Sequence, residues 1–222
     1  MIVSNLHASL RWGIAPDQTR APQAVKSRSF SRRRTTVQTI DMLPAPHLKY
    51  LAGYPAHLIT QVGEVLARGE LGDILRDKYP RPHGVRNDGA LYDFVGELKA
   101  RHLRNAPPLS KVAWDGKLQS IHNALGTHTR VARVQGGKLR IKREIRIANL
   151  FREAPEEFLR MIVAHELAHL KEPEHDKAFY QLCCRIEPAY HQLEFDVRVW
   201  LCLVETTGAM LWAPPGANPT AG

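Results

Sequence analysis

The chain has 222 residues, 44% hydrophobic and 24% charged, the balance of a globular protein with a buried core and not that of a disordered chain. No run of about 18 apolar residues occurs, which excludes a transmembrane helix on length and points away from the membrane. The formal net charge is +9, but residues 1–41 hold Arg11, Arg20, Lys26, Arg28, Arg32, Arg33 and Arg34 against only Asp17 and Asp41. What remains is mildly basic, so charge alone does not argue for a nucleic-acid-binding protein.

Residues 1–41 show no sustained period and contain Pro16, Pro22 and Ser31-Arg32-Arg33-Arg34. They read as a disordered leader or upstream extension, with Met42 as a natural start. An organelle transit peptide is one alternative. A twin-arginine export signal is another, but Thr35-Thr36-Val37-Gln38 is no apolar region. A domain is expected over residues 42–205 and a disordered tail over 206–222, where Pro, Gly and Ala dominate the last ten positions.

Inside the domain, Leu58, Ile59, Val62, Val65 and Leu66 recur at helical spacing after Pro55. Leu91, Phe94, Val95 and Leu98 predict a second helix, and the segment Tyr79 to Gly84 breaks the chain between the two. From Ser110 to Ala148 the period becomes two, with hairpin turns expected at Trp114-Asp115-Gly116-Lys117 and Gln135-Gly136-Gly137-Lys138. Leu139, Ile141, Ile145 and Ile147 share one strand face, interrupted by Arg143. Arg133, Lys138, Arg140, Lys142 and Arg146 suggest a basic face able to hold an anionic partner, a nucleotide or nucleic acid; a solvated strand face explains the same pattern. Three helices follow, at about Pro155–Leu170, Asp176–Ile186 and Tyr190–Val204. The fold class expected is α+β: N-terminal helices, a small antiparallel sheet, then an active-site helix and C-terminal helices.

The chemistry concentrates at His165-Glu166-Leu167-Ala168-His169, an HExxH pattern. Residues four apart share a helix face, so His165 and His169 can reach one ion, while Glu166 lies about 100° round the helix. His175 follows six residues later. Pro173 disfavours helix at Glu172 and turns the chain, so that His175 can swing back toward the pair. Three imidazole ligands leave one position of a tetrahedral zinc ion open, and a neighbouring carboxylate can take a proton from water there. The expectation is therefore Zn2+ on His165, His169 and His175, with Glu166 as general base. Histidines facing solvent on an ordinary core helix are the bland alternative. Cys183, Cys184 and Cys202 have no CxxC spacing, which argues against a cysteine zinc site, and their odd, low number predicts reduced thiols in a cytoplasmic protein.

The stretch from Met161 to Trp200, MIVAHELAHLKEPEHDKAFYQLCCRIEPAYHQLEFDVRVW, closely resembles the YgjP-like metallopeptidase family of bacteria, which is related more distantly to SprT-type and WSS-type zincins. The similarity extends to NAPPLSKVAWDGKL (Asn105–Leu118), to HNALGTHTRVARVQGGKLRIKREIRIA (His122–Ala148) and to LAGYPAHL (Leu51–Leu58). The resemblance implies a zincin-like fold with zinc on the three histidines and a metalloprotease that cleaves peptide or protein substrates. Some family members are described as nucleotide pyrophosphatases instead. Glu172 stands where metzincins have glycine, which sets that group aside.

Two other functions compete with a peptidase. One is hydrolysis of a nucleoside triphosphate (UTP-type) at a phosphoanhydride bond on the same metal. The other is a zinc-stabilised, non-catalytic nucleic-acid-binding module, which leaves Glu166 without a purpose. Around the site, Tyr190 or His191 is a candidate to stabilise charge on the attacked oxygen, and Glu194 to orient a ligand imidazole; for each, as for Asp196, a packing role is the alternative. Phe179, Tyr180, Trp200 and Trp212 read as core. His122 and His128 receive no role, and the sequence leaves the oligomeric state open.

Overall fold

The computed structural model describes residues 46–116, 127–135 and 138–212, with the strand residues 127–135 and 138–142 described through their backbone alone. The expected leader, Lys117 and Gly136-Gly137 of the expected turns, His122, and the tail beyond Trp212 lie outside the described residues. A 3-10 turn, Pro46–Leu51, leads into α1 (Ala56–Ala67), α2 (Leu71–Lys78) and α3 (Asp88–His102). Strands β1 (Lys111–Asp115), β2 (Thr127–Gln135) and β3 (Lys138–Ala148) follow, then a second 3-10 turn (Asn149–Glu153). The chain closes with α4 (Glu156–Ala168), α5 (Lys177–Ile186) and α6 (Tyr190–Thr207).

The α+β composition agrees with the sequence, but the expected antiparallel sheet does not form. The strand order is β1-β3-β2, with β2 antiparallel to β3 and β1 parallel to it, so the hairpin expected at Trp114-Asp115-Gly116-Lys117 does not pair β1 with β2. Val112 stands opposite Ile145 and Trp114 opposite Ile147. The reason is that alternation defines which face of a strand is buried and says nothing about the direction of its neighbour. Asp88, at the first turn of α3, ties that helix to β1 by accepting from the Trp114 amide at 2.9 Å. Helix α2 escaped the sequence reading although Leu71, Ile74 and Leu75 have helical spacing; eight residues fall short of the window in which a period is readable.

Helices α4 and α6 form the centre of the core. Phe158, Leu159, Ile162, Val163 and Leu167 of α4 are fully buried, as are Phe195, Val197 and Trp200 of α6. Helix α4 starts after Pro155 (φ −61°), and Glu156 and Glu157 occupy its positive end. Helix α6 ends at Gly208, whose φ of +67° is the left-handed conformation that glycine adopts without strain. Trp200, Trp212, Phe151 and Phe158 pack with centroids 5.5–5.6 Å apart. The Trp212 indole donates to the Tyr79 carbonyl at 2.7 Å.

Two buried polar groups tie the elements together. Asp196, on α6, accepts from Lys78 Nζ and Tyr79 Oη at 2.6 Å each and from Gln192 at 3.0 Å. It is 1% exposed with three donors on its carboxylate, which makes it a packing hub between α2 and α6. Asp196→Ala strands the Tyr79 hydroxyl, and unfolding titrations should show a loss of about 2–3 kcal/mol. Asp196→Asn, which keeps an acceptor, should lose less.

His83 is the second. Its Nε2 donates to the Phe151 carbonyl at 2.8 Å and its Nδ1 accepts from the Val85 amide at 3.0 Å, so the neutral ring satisfies both partners. Burial, ahead of the nearby Arg86, lowers its pKa, while the Phe151 carbonyl opposes that shift. The unfolded chain thus binds a proton more readily than the folded one. The contribution of His83 is complete above its unfolded pKa of about 6.5 and is lost as pH falls from there toward the folded value. Denaturation midpoints measured at pH 7.5 and 5.5 should drop more steeply for the native chain than for His83→Asn.

Candidate metal centre

Helix α4 carries His165 and Glu166 and ends at Ala168; His169 is the residue that closes it (φ −63°, ψ −13°). The chain then tightens, with the amides of Lys171 and Glu172 both bonded to the Ala168 carbonyl. Pro173 cannot continue a helix. Asp176 starts the next one, its carboxylate accepting from the Phe179 amide at 3.0 Å. His175 is thus held between a helix stop and a helix cap.

The three imidazoles converge. One nitrogen from each of His165, His169 and His175 lies within 4.8 Å of the others, and His165 Nε2 and His175 Nε2 are 3.1 Å apart. His169 Nδ1 meets the Glu172 carbonyl at 3.1 Å, which leaves its Nε2 for the centre. His165 Nδ1 meets the Tyr190 hydroxyl at 2.7 Å. Phe179 is the common floor: its ring centroid is 4.9 Å from that of His165 and 4.6 Å from those of His169 and His175. The sequence marked Phe179 only as core, and its place one helical turn beyond His175 was the available signal. The cluster draws on a helix, its end and a loop, in place of an HExxH motif carried within one active-site helix.

This donor set fits a metal ion. Two nitrogens each about 2.0–2.1 Å from one tetrahedral zinc stand roughly 3.3 Å apart, close to the observed 3.1 Å. Burial first, then the neighbouring His169 and His175, hold the His165 pKa well below the usual histidine range, and burial lowers that of His175. Both shifts favour the neutral imidazole, the form with a lone pair to give. His165 and His169 are half-buried and His175 is exposed, so the centre opens to solvent on the His175 side. Glu166 is 1% exposed, and its Oε2 has no hydrogen-bond partner. Burial alone raises its pKa well above the ordinary carboxylate range.

The residues around the cluster divide differently from expectation. Glu194 does not orient an imidazole; it is engaged by Arg198, whose Nη2 is 2.7 Å away and whose Nη1 reaches the Tyr50 carbonyl. Tyr190 is fully buried with its hydroxyl on His165, so it supports a ligand ring from behind and does not face an attacked oxygen. Burial, then Glu194, raises its pKa and keeps the phenol protonated. His191 lies beside the Tyr180 ring at 5.7 Å. On the sheet, Arg146 is paired with Asp115 and Glu144, and the side chains of Arg133, Lys138, Arg140 and Lys142 lie outside the described residues.

A family model described as "YgjP-like, metallopeptidase domain" matches residues 125–197, a span that contains all three histidines and Glu166. The chain is 59% identical over 155 residues to a UTP pyrophosphatase of Escherichia coli (strain K12), covering 70% of this chain and 93% of that protein. The chain belongs to the YgjP-like family. No solved structure matches it. For this YgjP-like chain the expectation of a zinc metallopeptidase is corrected: the relative so similar over nearly its whole length is a pyrophosphatase. A metal-dependent hydrolase with a three-histidine cluster able to hold an ion stays; peptide-bond cleavage does not. The YgjP-like residue pattern marks the metal, and the residue types of the metal shell carry no record of which electrophile they serve. Among the described residues, no helix is long and apolar enough to cross a membrane.

Proposed function

We propose that the chain hydrolyses a nucleoside triphosphate, UTP foremost, to the nucleoside monophosphate and pyrophosphate, at a zinc centre formed by His165, His169 and His175. The observation that carries this reading is the 59% identity to a UTP pyrophosphatase across 93% of that protein's length. The converging imidazoles supply a site where such chemistry can occur. A zinc ion there supplies a Lewis acid to a phosphoryl oxygen.

The reaction forms a bond from a water oxygen to the α-phosphorus and breaks the bond from that phosphorus to the bridging oxygen, which leaves with pyrophosphate. Glu166 is the group that accepts the water proton. Its burial makes it a stronger base than an exposed carboxylate, which suits proton transfer near neutral pH. The nucleotide approaches from the exposed His175 side. Arg133, Lys138, Arg140 and Lys142 are the candidates to seat its phosphates; Arg133 and Arg140 are register partners across β2 and β3. We assign the catalytic unit to the expected domain, residues 42–205, extended to Trp212, which packs on Phe158 and Trp200, and the protein to the reducing cytoplasm, in keeping with Cys183, Cys184 and Cys202 all being free thiols.

The test is to incubate the zinc-loaded protein with each nucleoside triphosphate and with unstructured polypeptide. Pyrophosphate and monophosphate should appear from UTP in equal amounts, with the polypeptide intact. Cleavage of polypeptide without nucleotide turnover would sink the reading.

A further inference from the structure

The bond behind His165 continues into the core. His165 Nε2 faces the other imidazoles, being 3.1 Å from His175 Nε2. Its opposite nitrogen, Nδ1, is 2.7 Å from the Tyr190 hydroxyl. A neutral imidazole whose Nε2 lone pair faces an ion carries its proton on Nδ1, so His165 donates and Tyr190 accepts. Tyr190 is 0% exposed, so water does not substitute for this bond. The two residues sit on α4 and α6 respectively.

The His169 ring meets the main-chain carbonyl of Glu172, which no side-chain substitution removes, whereas His165 meets a side-chain hydroxyl that a single-atom change deletes.

We infer that Tyr190 is a positioning residue of the metal centre: its hydroxyl locks His165 with Nε2 toward the ion, and metal retention depends on that lock. This rests on the three-histidine reading of the site. Tyr190 touches neither nucleotide nor attacking water, and its effect is exerted through His165.

Zinc affinity of the purified full chain, measured by competition with a chromogenic chelator, tests it. Tyr190→Phe keeps the ring and its packing, and it should bind zinc about 10–100-fold more weakly than wild type. The d–d bands of its cobalt-substituted form should shift, while the thermal midpoint of the metal-free chain falls by no more than the few degrees that one lost hydrogen bond costs. If Tyr190→Phe does not fold, the imidazole nitrogen-15 shifts of the zinc-loaded wild type decide: His165 should carry its proton on Nδ1, and coordination through Nδ1 overturns the inference. Zinc binding by Tyr190→Phe within about threefold of wild type, with an unchanged cobalt spectrum, overturns it as well. Absence of zinc binding by the wild type overturns the three-histidine reading together with the lock, and so separates the two failures.

Discussion

Glu166→Gln should lower pyrophosphate release from UTP by about 10²–10⁴-fold while zinc content stays at the wild-type level. Glutamine is nearly isosteric with glutamate and cannot accept a proton, and the position is buried enough that no solvent group replaces it. The lost effect is a proton transfer in the transition state, so kcat should fall and KM should change little. Stability should hold or rise, because the substitution removes a carboxyl that burial disfavours in its charged form. A variant with near-native kcat would remove Glu166 from the reaction and leave it as a buried packing residue.

Loss of a ligand ring should act earlier, at the ion itself. His165→Ala and His175→Ala each reduce three nitrogen donors to two. Each should weaken zinc binding by more than the roughly 10–100-fold that an orienting hydrogen bond contributes, and abolish turnover at ordinary zinc concentrations. The two variants should differ in stability. His165 is half-buried, against the Phe179 floor and the Tyr190 hydroxyl, so its truncation opens a cavity and unpairs a buried phenol. His175 is exposed and its truncation disturbs only the surface. Metal analysis with thermal unfolding of the metal-free proteins separates these effects. Stoichiometric zinc in His175→Ala would remove that residue from the centre.

Much of the site was readable from local spacing alone. Positions four apart on a helix, a proline, and a third histidine beyond it were enough to predict convergence, because each depends on geometry within a dozen residues. The support of the site was not readable in that way. Tyr190 and Glu194 both lie in the first turns of α6, and the choice between them depends on how α6 packs on α4. Arg198, four residues after Glu194, was the local hint that this carboxylate already had a partner. The pairing direction of β1 was hidden for a similar reason, since its partner β3 lies beyond the intervening strand β2. The substrate was out of reach altogether: three imidazoles and a carboxylate can activate water equally well against a carbonyl or a phosphoryl centre, and it is similarity to a UTP pyrophosphatase over nearly its whole length that favours the phosphoryl reading.

The most direct measurement is a zinc titration of the metal-stripped protein with pyrophosphate release from UTP as the readout. The account predicts no release without metal, a rise in proportion to added zinc, and a break at one equivalent that Glu166→Gln lacks. Undiminished pyrophosphate release from protein free of metal would contradict it.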